Sequence, residues 1–179
     1  ILHPLLKGKH VLELGSGLGL TGLAVGSWCE CASIRLTDGD PTSFRAVRRN
    51  VELNAQRGAF GDTHVDACQL MWGTSGVASA PPAAALSLTA AAAEAGGAGA
   101  AAPPEQRQGY DVILAADCVY DRALHVPLCQ TIRRWLAPNG VCVIVASRRC
   151  GSLADFDRVA RGEFAVHAWP TPYDATVAA

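Results

Sequence analysis

Apolar residues in this chain fall into short continuous runs, separated by longer stretches with helical periodicity. The runs are rich in aliphatic and β-branched residues, as is typical of buried parallel strands. Strands are predicted at residues 11–14, 32–37, 63–72, 110–116 and 141–147, with an edge-type strand at 164–169. Helices are predicted at residues 21–28, 41–56, 122–136 and 152–161. This alternation predicts an α/β fold with a doubly wound, mostly parallel sheet and helices on both faces.

Residues 74–109 interrupt the alternation. They consist mostly of Ala, Gly, Pro and Ser with almost no charge, and they lack the large side chains that a packed core needs. We therefore predict a single domain over residues 1–179 that carries a low-complexity insertion between two core strands. The chain begins with Ile1 and its only methionine is Met71, so we expect residues to be missing before its start.

Charge and cysteine usage narrow the classes of partner. The chain has 15 Lys or Arg and 16 Asp or Glu, a formal net charge of −1, which argues against a nucleic-acid partner because phosphate binding normally needs a basic face. No apolar run has the length of a membrane span, so we expect no membrane association. The seven cysteines follow no metal-ligand spacing, which predicts free thiols in a reducing compartment and no metal site. We expect a monomer in the cytoplasm, with the nucleus as an alternative.

A glycine-rich stretch follows the first predicted strand directly. Residues 10–22 read HVLELGSGLGLTG, in which Gly15, Gly17 and Gly19 let the backbone turn sharply and approach a ligand. The helix that follows would point its first N–H groups at that ligand. The stretch also contains the dinucleotide pattern G-x-G-x-x-G, with Asp38 about twenty residues further on. A third interpretation is a tight turn with no ligand.

An acidic residue discriminates between the two possible cofactors. Glu13 lies two positions before Gly15, in a strand where a buried carboxylate without a partner would be costly. This carboxylate would repel a pyrophosphate, whereas it would attract the ammonium and sulfonium groups of S-adenosylmethionine. The pattern therefore favours S-adenosylmethionine over NAD.

A second acid ends the second predicted strand. Asp38 would face the ligand crevice at the carboxyl ends of the strands, where it is our candidate for binding the ribose hydroxyls. Asp40 and Pro41 form a typical N-cap and first-turn pair for the next helix. An acid in this region could therefore serve as a cap, as a ligand-binding group, or as one of each.

Several separated motifs together resemble one enzyme family. The stretches that carry the resemblance are residues 11–22, 36–38, 50–54, 70–73 and 111–121. ELGSGLG at residues 13–19 resembles the E/D-x-G-x-G-x-G loop of class I methyltransferases that use S-adenosylmethionine. DCVY at residues 117–120 resembles the D-x-x-Y motif after the fourth strand in seven-β-strand methyltransferases of the family 16 type. That group includes protein-lysine methyltransferases.

The resemblance implies a Rossmann-like sheet, S-adenosylmethionine as cofactor, and methyl transfer to a lysine side chain of a protein substrate. It implies that Asp117 and Tyr120 are catalytic and hold the target amine, that Asp38 binds the ribose, and that Trp72 contacts the adenine. The residues that it implies for cofactor binding are Glu13, Gly15, Gly17, Gly19, Asp38, Trp72 and Ala116.

Alternatives stay open at this point. The same cofactor site would serve a methyltransferase that acts on a small molecule or another nitrogen, and the sheet could be a non-catalytic binding module. Asp117 alone could be a helix cap at the strand end. The chain also departs from the family: Met71 stands where an acid often precedes the tryptophan, and the upstream strand and tryptophan that help to cover the cofactor are absent. The strands after the sixth are cut short, so we expect truncation at both ends.

Overall fold

The computed structural model of the chain describes residues 3–73, 109–148 and 150–168. The strands are β1 His10–Leu14, β2 Ser33–Asp38, β3 His64–Gln69, β4 Tyr110–Ala116 and β5 Leu136–Val145. The helices are α1 His3–Leu6, α2 Leu20–Trp28, α3 Pro41–Gln56, α4 His125–Trp135 and α5 Ser152–Arg161. The predicted insertion at 74–109 lies outside the described residues, except for Gly109.

The strands form one sheet with the order β3-β2-β1-β4-β5, in which every neighbouring pair is parallel. Strand order reverses direction between β1 and β4, which is the switch point where ligands bind in open α/β sheets. The carboxyl ends of β1, β2 and β4 therefore lie side by side at one edge of the sheet. A separate loop leaves each of these strand ends. The predicted doubly wound topology is confirmed for the described strands.

Helices cover both faces of the sheet, as the sequence predicts. On one face α2 and α3 pack Val25, Val47 and Val51 against the sheet residues Ile34 and Leu36. On the opposite face α4 and α5 pack Leu128, Ile132 and Phe156 against Leu12 and Ile113. Because both faces are covered, the central strands are apolar on both sides, which explains their continuous hydrophobic runs.

Helix α3 begins as its sequence predicts. Oδ1 of Asp40 accepts hydrogen bonds from the backbone N–H groups of Thr42 at 3.0 Å and Ser43 at 2.8 Å, and Pro41 occupies the first helical position. These bonds satisfy two of the backbone donors that a helix start leaves unpaired. Capping is thus assigned to Asp40, so Asp38 is not required for it.

Several predicted elements differ from the structure. Strand β5, predicted at 141–147, spans Leu136–Val145 and so begins directly after α4. Strand β3 ends at Gln69 instead of Trp72, because its neighbour β2 ends at Asp38. The N–H of Leu70 makes a bond to β2 at this end, to the carbonyl of Asp38 at 3.0 Å. The predicted helix at 122–136 begins with a 3₁₀ turn at Arg122–Leu124 before α4. The predicted edge strand at 164–169 is wrong for its described part, residues 164–168, which form no strand. The N–H of Phe164 instead bonds to the carbonyl of Ala160 at the end of α5.

None of the helices within the described ranges combines the length and apolarity needed to cross a bilayer.

The close approach of α2 to the sheet gives a test of the fold. A Cβ added to Gly22 would collide with Oε2 of Glu13 and would lie 2.6 Å from Cγ of Leu36. Replacing a helical glycine by alanine normally stabilises a protein by about 0.5–1 kcal/mol. We expect Gly22→Ala to lower the free energy of unfolding instead, by about 1–3 kcal/mol, because the helix must move away from the sheet.

Urea denaturation followed by circular dichroism measures this change. Gly162→Ala is the matched control, because Gly162 has φ −72° and a Cβ there would lie 3.3 Å from its nearest neighbour, the carbonyl oxygen of Val159. We expect the control to change stability by less than about 0.5 kcal/mol. A Gly22→Ala protein as stable as the wild type would contradict the packing of α2 described above.

Candidate functional site

The glycine loop connects β1 to α2 at the switch point of the sheet. Gly15 has φ +67° and Gly19 has φ +87°, values that favour glycine over residues with a Cβ. A Cβ on Gly19 would also lie 2.6 Å from Cγ2 of Val47 on α3. The loop can therefore follow its path only because these positions lack side chains.

Hydrogen bonds from the end of β2 hold the loop in place. The N–H of Ser16 donates to the carbonyl of Thr37 at 2.9 Å, and the Thr37 hydroxyl donates to the carbonyl of Glu13 at 2.7 Å. The N–H of Gly17 donates to Oδ2 of Asp38 at 2.8 Å. The loop is thus fixed by the neighbouring strand before any ligand binds.

Helix α3 provides a further support for the loop. Nδ2 of Asn50 donates to the carbonyl of Leu18 at 2.9 Å. Asn50 belongs to the stretch 50–54 that resembles the family, but the sequence pattern does not predict this contact. The side chains of Leu18 on the loop and Leu20, the first residue of α2, are 67% and 83% exposed, so this end of the sheet presents apolar surface to solvent.

Asp38 lies where a ribose-binding acid is expected, at the carboxyl end of β2. Its Oδ1 accepts from the N–H of Asp40 at 2.9 Å, while Oδ2 accepts from Gly17. A carboxylate offers about four acceptor positions on its two oxygens. These two backbone bonds therefore orient Asp38 and leave it with acceptor capacity for a ligand hydroxyl.

Glu13 lies beneath the glycine loop, deeper than its position before the glycines suggests. It is 1% exposed, and its Oε2 accepts from the N–H of Gly22 at 3.1 Å. Burial raises the pKa of Glu13 from 4.5 to about 7; the hydrogen bond from Gly22 opposes this rise, and the nearby charge of Asp38 adds to it. Because the loop covers Glu13, any attraction between its carboxylate and a cationic ligand would act across the loop and not by direct contact.

The end of β4 carries the other predicted site residues. Ala116 is the last residue of β4, and Asp117 directly after it has φ +53°, a conformation that is uncommon without glycine. The N–H of Asp117 donates to the carbonyl of Val145 at 2.7 Å, and its Oδ1 accepts from the hydroxyl of Ser147 at 3.1 Å. Residues at the end of β5 therefore hold Asp117 in this unusual conformation.

Asp121, and not Asp117, is the cap of the following helical turn. Its Oδ1 accepts from the N–H of Ala123 at 2.9 Å, at the start of the 3₁₀ turn. The interpretation of Asp117 as a helix cap is therefore wrong. Tyr120, between these two acids, is 63% exposed, so its ring and hydroxyl are accessible to a partner molecule.

Trp72 packs against the first turn of the glycine loop. Its Cζ2 and Cη2 atoms lie 3.0 and 3.3 Å from the position that a Cβ on Gly15 would take, and Cβ of Cys118 lies 3.2 Å from it. The N–H of Gly73 donates to the hydroxyl of Thr131 at 3.1 Å, which ties the segment after β3 to α4. Gly15 therefore brings the ends of β1, β3 and β4 into contact.

Negative charge is concentrated at this edge of the sheet. Burial, with smaller contributions from the charges of Asp117, Glu13 and Asp38, raises the pKa of the Cys118 thiol to about 12. Three predicted site acids from three strands thus act on one buried thiol. Within the described ranges, no group of three or more His, Cys, Asp or Glu residues is arranged to hold a metal ion.

The structure brings together almost all of the residues predicted for the site. The loop that contains Gly15 contacts Asp38 and Trp72, and it covers Glu13. Ala116 ends the neighbouring strand β4, and Asp117 follows it. Tyr120 follows on the same connection. The sequence predicts no role for Thr37, Asn50, Cys118 or Ser147, because their contacts join residues from different elements. The first three nevertheless lie in stretches that carry the family resemblance.

Comparison with known proteins places this arrangement in a family. The family model described as lysine methyltransferase matches residues 4–90 and 101–160. A calmodulin-lysine N-methyltransferase of Arabidopsis thaliana is 30% identical over 130 residues, which cover 73% of this chain and 34% of that protein. The protein N-lysine methyltransferase METTL21A of Danio rerio is 27% identical over 143 residues, covering 80% of this chain and 51% of that protein.

A solved structure agrees with the fold. A methyltransferase from Pyrococcus furiosus superposes with a TM-score of 0.55 at 18% identity, covering 88% of this chain and 65% of that chain. The sheet and its glycine loop thus define a Rossmann-like protein of the class I methyltransferase type. More narrowly, the chain belongs to the lysine methyltransferase family.

Membership confirms the predicted family, and with it S-adenosylmethionine as the cofactor of that family. The chain spans 34% and 51% of the length of the two curated relatives described above.

The raised pKa of Glu13 gives a test of the buried carboxylate. The unfolded chain loses this proton near pH 4.5, whereas the folded protein keeps it until pH approaches 7. The free energy of unfolding should therefore decrease as pH rises through this window, by up to about 3 kcal/mol. We expect Glu13→Gln, which preserves an oxygen acceptor for Gly22, to remove this decrease.

Urea denaturation between about pH 5 and pH 8 measures this difference. Subtracting the curve of the variant from that of the wild type isolates Glu13 from other titrating groups. A difference that does not change with pH would mean that Glu13 is ionised in the folded protein throughout.

Proposed function

We propose that this chain is the core of an S-adenosylmethionine-dependent methyltransferase that transfers a methyl group to a lysine side chain of a protein substrate. One observation carries the proposal: the glycine loop with Asp38 and the Asp117–Tyr120 connection lie at the same edge of the sheet, joined through Gly15 and Cys118. A cofactor crevice and an exposed acid and tyrosine are therefore neighbours. Membership in the lysine methyltransferase family supports the same activity.

The residues at this edge fit the cofactor. Gly15, Gly17 and Gly19 permit a close approach of the backbone, and Asp38 offers acceptors for ribose hydroxyls. The carboxylate of Asp38, held against the loop by the N–H of Gly17, adds a negative charge that attracts a cationic ligand. Two buried polar atoms at the loop, the hydroxyl of Ser16 and Nε1 of Trp72, have no hydrogen-bond partner within the described ranges, as is expected of a site that completes its bonds with a ligand.

The task left to the protein is to position the target amine. Bound S-adenosylmethionine supplies a methyl group on a sulfonium, which is already a good leaving group. A lysine with an ordinary pKa near 10.4 must lose a proton before its nitrogen can attack, which costs about 4–5 kcal/mol at pH 7. Asp117 would stabilise the ammonium form, so its role is to recruit and orient the lysine rather than to lower its pKa.

Tyr120 complements Asp117 in this scheme. Its exposed ring can contact a cationic side chain through its face, and its hydroxyl can accept or donate a hydrogen bond. The positive charge of the cofactor and an apolar approach would favour the neutral amine. Asp117 therefore contributes to substrate binding, and Tyr120 to the direction from which the amine approaches.

We further propose that the protein acts as a monomer in the cytoplasm or nucleus and does not bind nucleic acid. The seven free cysteines, of which Cys150 is exposed, support a reducing compartment. The balanced charge of the chain supports a protein substrate over a nucleic acid.

The proposal is tested with tritiated S-adenosylmethionine and a cell lysate, followed by mass spectrometry of the labelled band. With the substrate identified, we expect Asp117→Asn to lower kcat/KM by about tenfold or more, mainly through KM, because a charge-assisted contact is lost. Affinity for S-adenosylhomocysteine, measured by calorimetry, should change less than about twofold, since the cofactor loop is intact.

Asp62→Asn is the matched control for this substitution. Asp62 is an exposed acid just before β3, at the amino ends of the parallel strands, whereas the site lies at their carboxyl ends. Its replacement should leave both measurements unchanged. Labelling of a small molecule with no labelled protein would contradict the proposed substrate class. Binding of NAD without binding of S-adenosylmethionine would contradict the proposed cofactor.

A further inference from the structure

His125 is a buried histidine to which the proposed reaction assigns no role. It is the first residue of α4 and is 3% exposed. Its ring contacts the ring of Phe156 on α5 edge to face, with the ring centroids 5.4 Å apart. An aliphatic or aromatic residue would fill such a core position without a polar atom that needs a partner. A histidine here therefore indicates a task for one of its ring nitrogens.

One hydrogen bond shows what this nitrogen does. Nε2 of His125 lies 3.0 Å from the carbonyl oxygen of Val119, in the interior of the protein. Because a carbonyl oxygen can only accept, Nε2 carries a hydrogen and donates it. Within the described part of the chain, no backbone-to-backbone hydrogen bond involves residues 118–120. The imidazole thus provides the donor for a carbonyl that would be costly to bury without one.

This bond fixes the peptide that leads into Tyr120. The carbonyl of Val119 and the backbone nitrogen of Tyr120 belong to one peptide unit, which is planar. Holding the oxygen therefore also sets the direction in which the chain enters Tyr120. On the other side of Tyr120, Oδ1 of Asp121 accepts from the N–H of Ala123 in the 3₁₀ turn. The backbone is thus fixed on both sides of a tyrosine whose side chain is exposed.

Helix α5 supports the same connection through two neighbouring residues. Nε of Arg122 donates to Oδ2 of Asp155 at 2.6 Å. Phe156, the next residue on α5, packs against the ring of His125. The chain between Asp117 and α4 is therefore attached to α5 once through an ion pair and once through the histidine.

We propose that His125 is a positioning residue for methyl transfer: by donating to the carbonyl of Val119, it sets the position of Tyr120 relative to the target amine. The proposal rests on the proposed function, because it assumes that Tyr120 directs the approach of a lysine. A misplacement of about 1 Å in such a group can lower a rate about 100-fold. His125 is buried, so its effect on the reaction passes through Tyr120.

Two substitutions separate the hydrogen bond from the packing. His125→Leu removes the donor and keeps an apolar side chain in the core, whereas the amide of His125→Gln can place an N–H near the position of Nε2. The measured quantity is the initial rate of tritium transfer from S-adenosylmethionine to the labelled protein band of a cell lysate. At lysate dilutions where this rate is proportional to the amount of lysate, it reports kcat/KM.

We expect His125→Leu to lower this rate about tenfold or more, because Tyr120 is no longer held in place. His125→Gln should retain the rate within about threefold, because the donor is restored. Affinity for S-adenosylhomocysteine, measured by calorimetry, should change less than about twofold in both variants, since the glycine loop is intact.

A double-mutant cycle with Tyr120→Ala shows whether the effect passes through the tyrosine. In the Tyr120→Ala protein, we expect the further substitution His125→Leu to change the remaining rate less than about twofold. If His125 only stabilised the fold, it would lower the rate by the same factor with and without Tyr120.

His64→Leu is the matched control, because His64 is exposed at the start of β3, at the amino ends of the strands. It should change neither the rate nor the affinity. NMR spectra that correlate the ring protons and nitrogens of the histidines add a readout without mutation or substrate, which keeps the test valid if His125→Leu folds poorly. Nε2 of His125 should carry a hydrogen that exchanges slowly with solvent.

A His125→Gln protein as slow as His125→Leu, or an equal effect of His125→Leu in both backgrounds, would overturn the proposal in favour of packing alone. An unchanged rate in His125→Leu, or an Nε2 without a hydrogen, would overturn it as well. A wild-type protein that transfers no tritium to any protein would instead contradict the proposed function itself. The NMR readout does not depend on a substrate, so it separates the two failures.

Discussion

The hydrogen bonds between the end of β1 and the end of β2 determine the geometry of the site. Thr37 accepts from the N–H of Ser16 and donates from its hydroxyl to the carbonyl of Glu13. These bonds turn the chain at Gly15 and bring Gly17 to the carboxylate of Asp38. If they were lost, the loop would have no fixed path, and Asp38 would no longer face a defined crevice.

Close packing under the loop complements these bonds. Oε2 of Glu13 accepts a hydrogen bond from the N–H of Gly22 in the first turn of α2. Because Gly22 has no side chain, the helix can approach both Glu13 and Leu36 closely. A buried carboxylate is tolerated here because a backbone donor is directed at it and because its raised pKa allows it to hold a proton. The acid that marks the family loop in the sequence is thus also part of the structural connection between β1 and α2.

A chain with almost balanced charge concentrates acids at one edge because parallel strands end there. Asp38 ends β2, and Asp117 directly follows β4. Because the two strands are parallel, both acids lie at the same end of the sheet. Asp117 is held in a left-handed conformation by residues at the end of β5. Backbone strain of this kind is found most often at functional sites, which agrees with a role for Asp117 at the target amine.

The sequence predicts the elements and the residues near the strand ends, but not the contacts between elements. The cap of α3 by Asp40 follows from local rules, and so do the glycine positions of the loop. The predicted edge strand at 164–169 is wrong for residues 164–168, because a short apolar stretch does not specify a partner strand. In the structure this stretch follows α5 directly, with the N–H of Phe164 bonded to the carbonyl of Ala160. The supports of the site, such as Asn50 on Leu18 and Ser147 on Asp117, depend on how elements pack and leave no periodic signal.

The most direct test of this account is a crystal structure of the protein with S-adenosylhomocysteine. The account predicts that the nucleoside lies along the glycine loop, with its ribose hydroxyls within hydrogen-bond distance of Asp38 and its sulfur on the side of Asp117 and Tyr120. A ligand bound away from the loop, or a crevice closed by side chains around Gly15 with no ligand in it, would contradict the account.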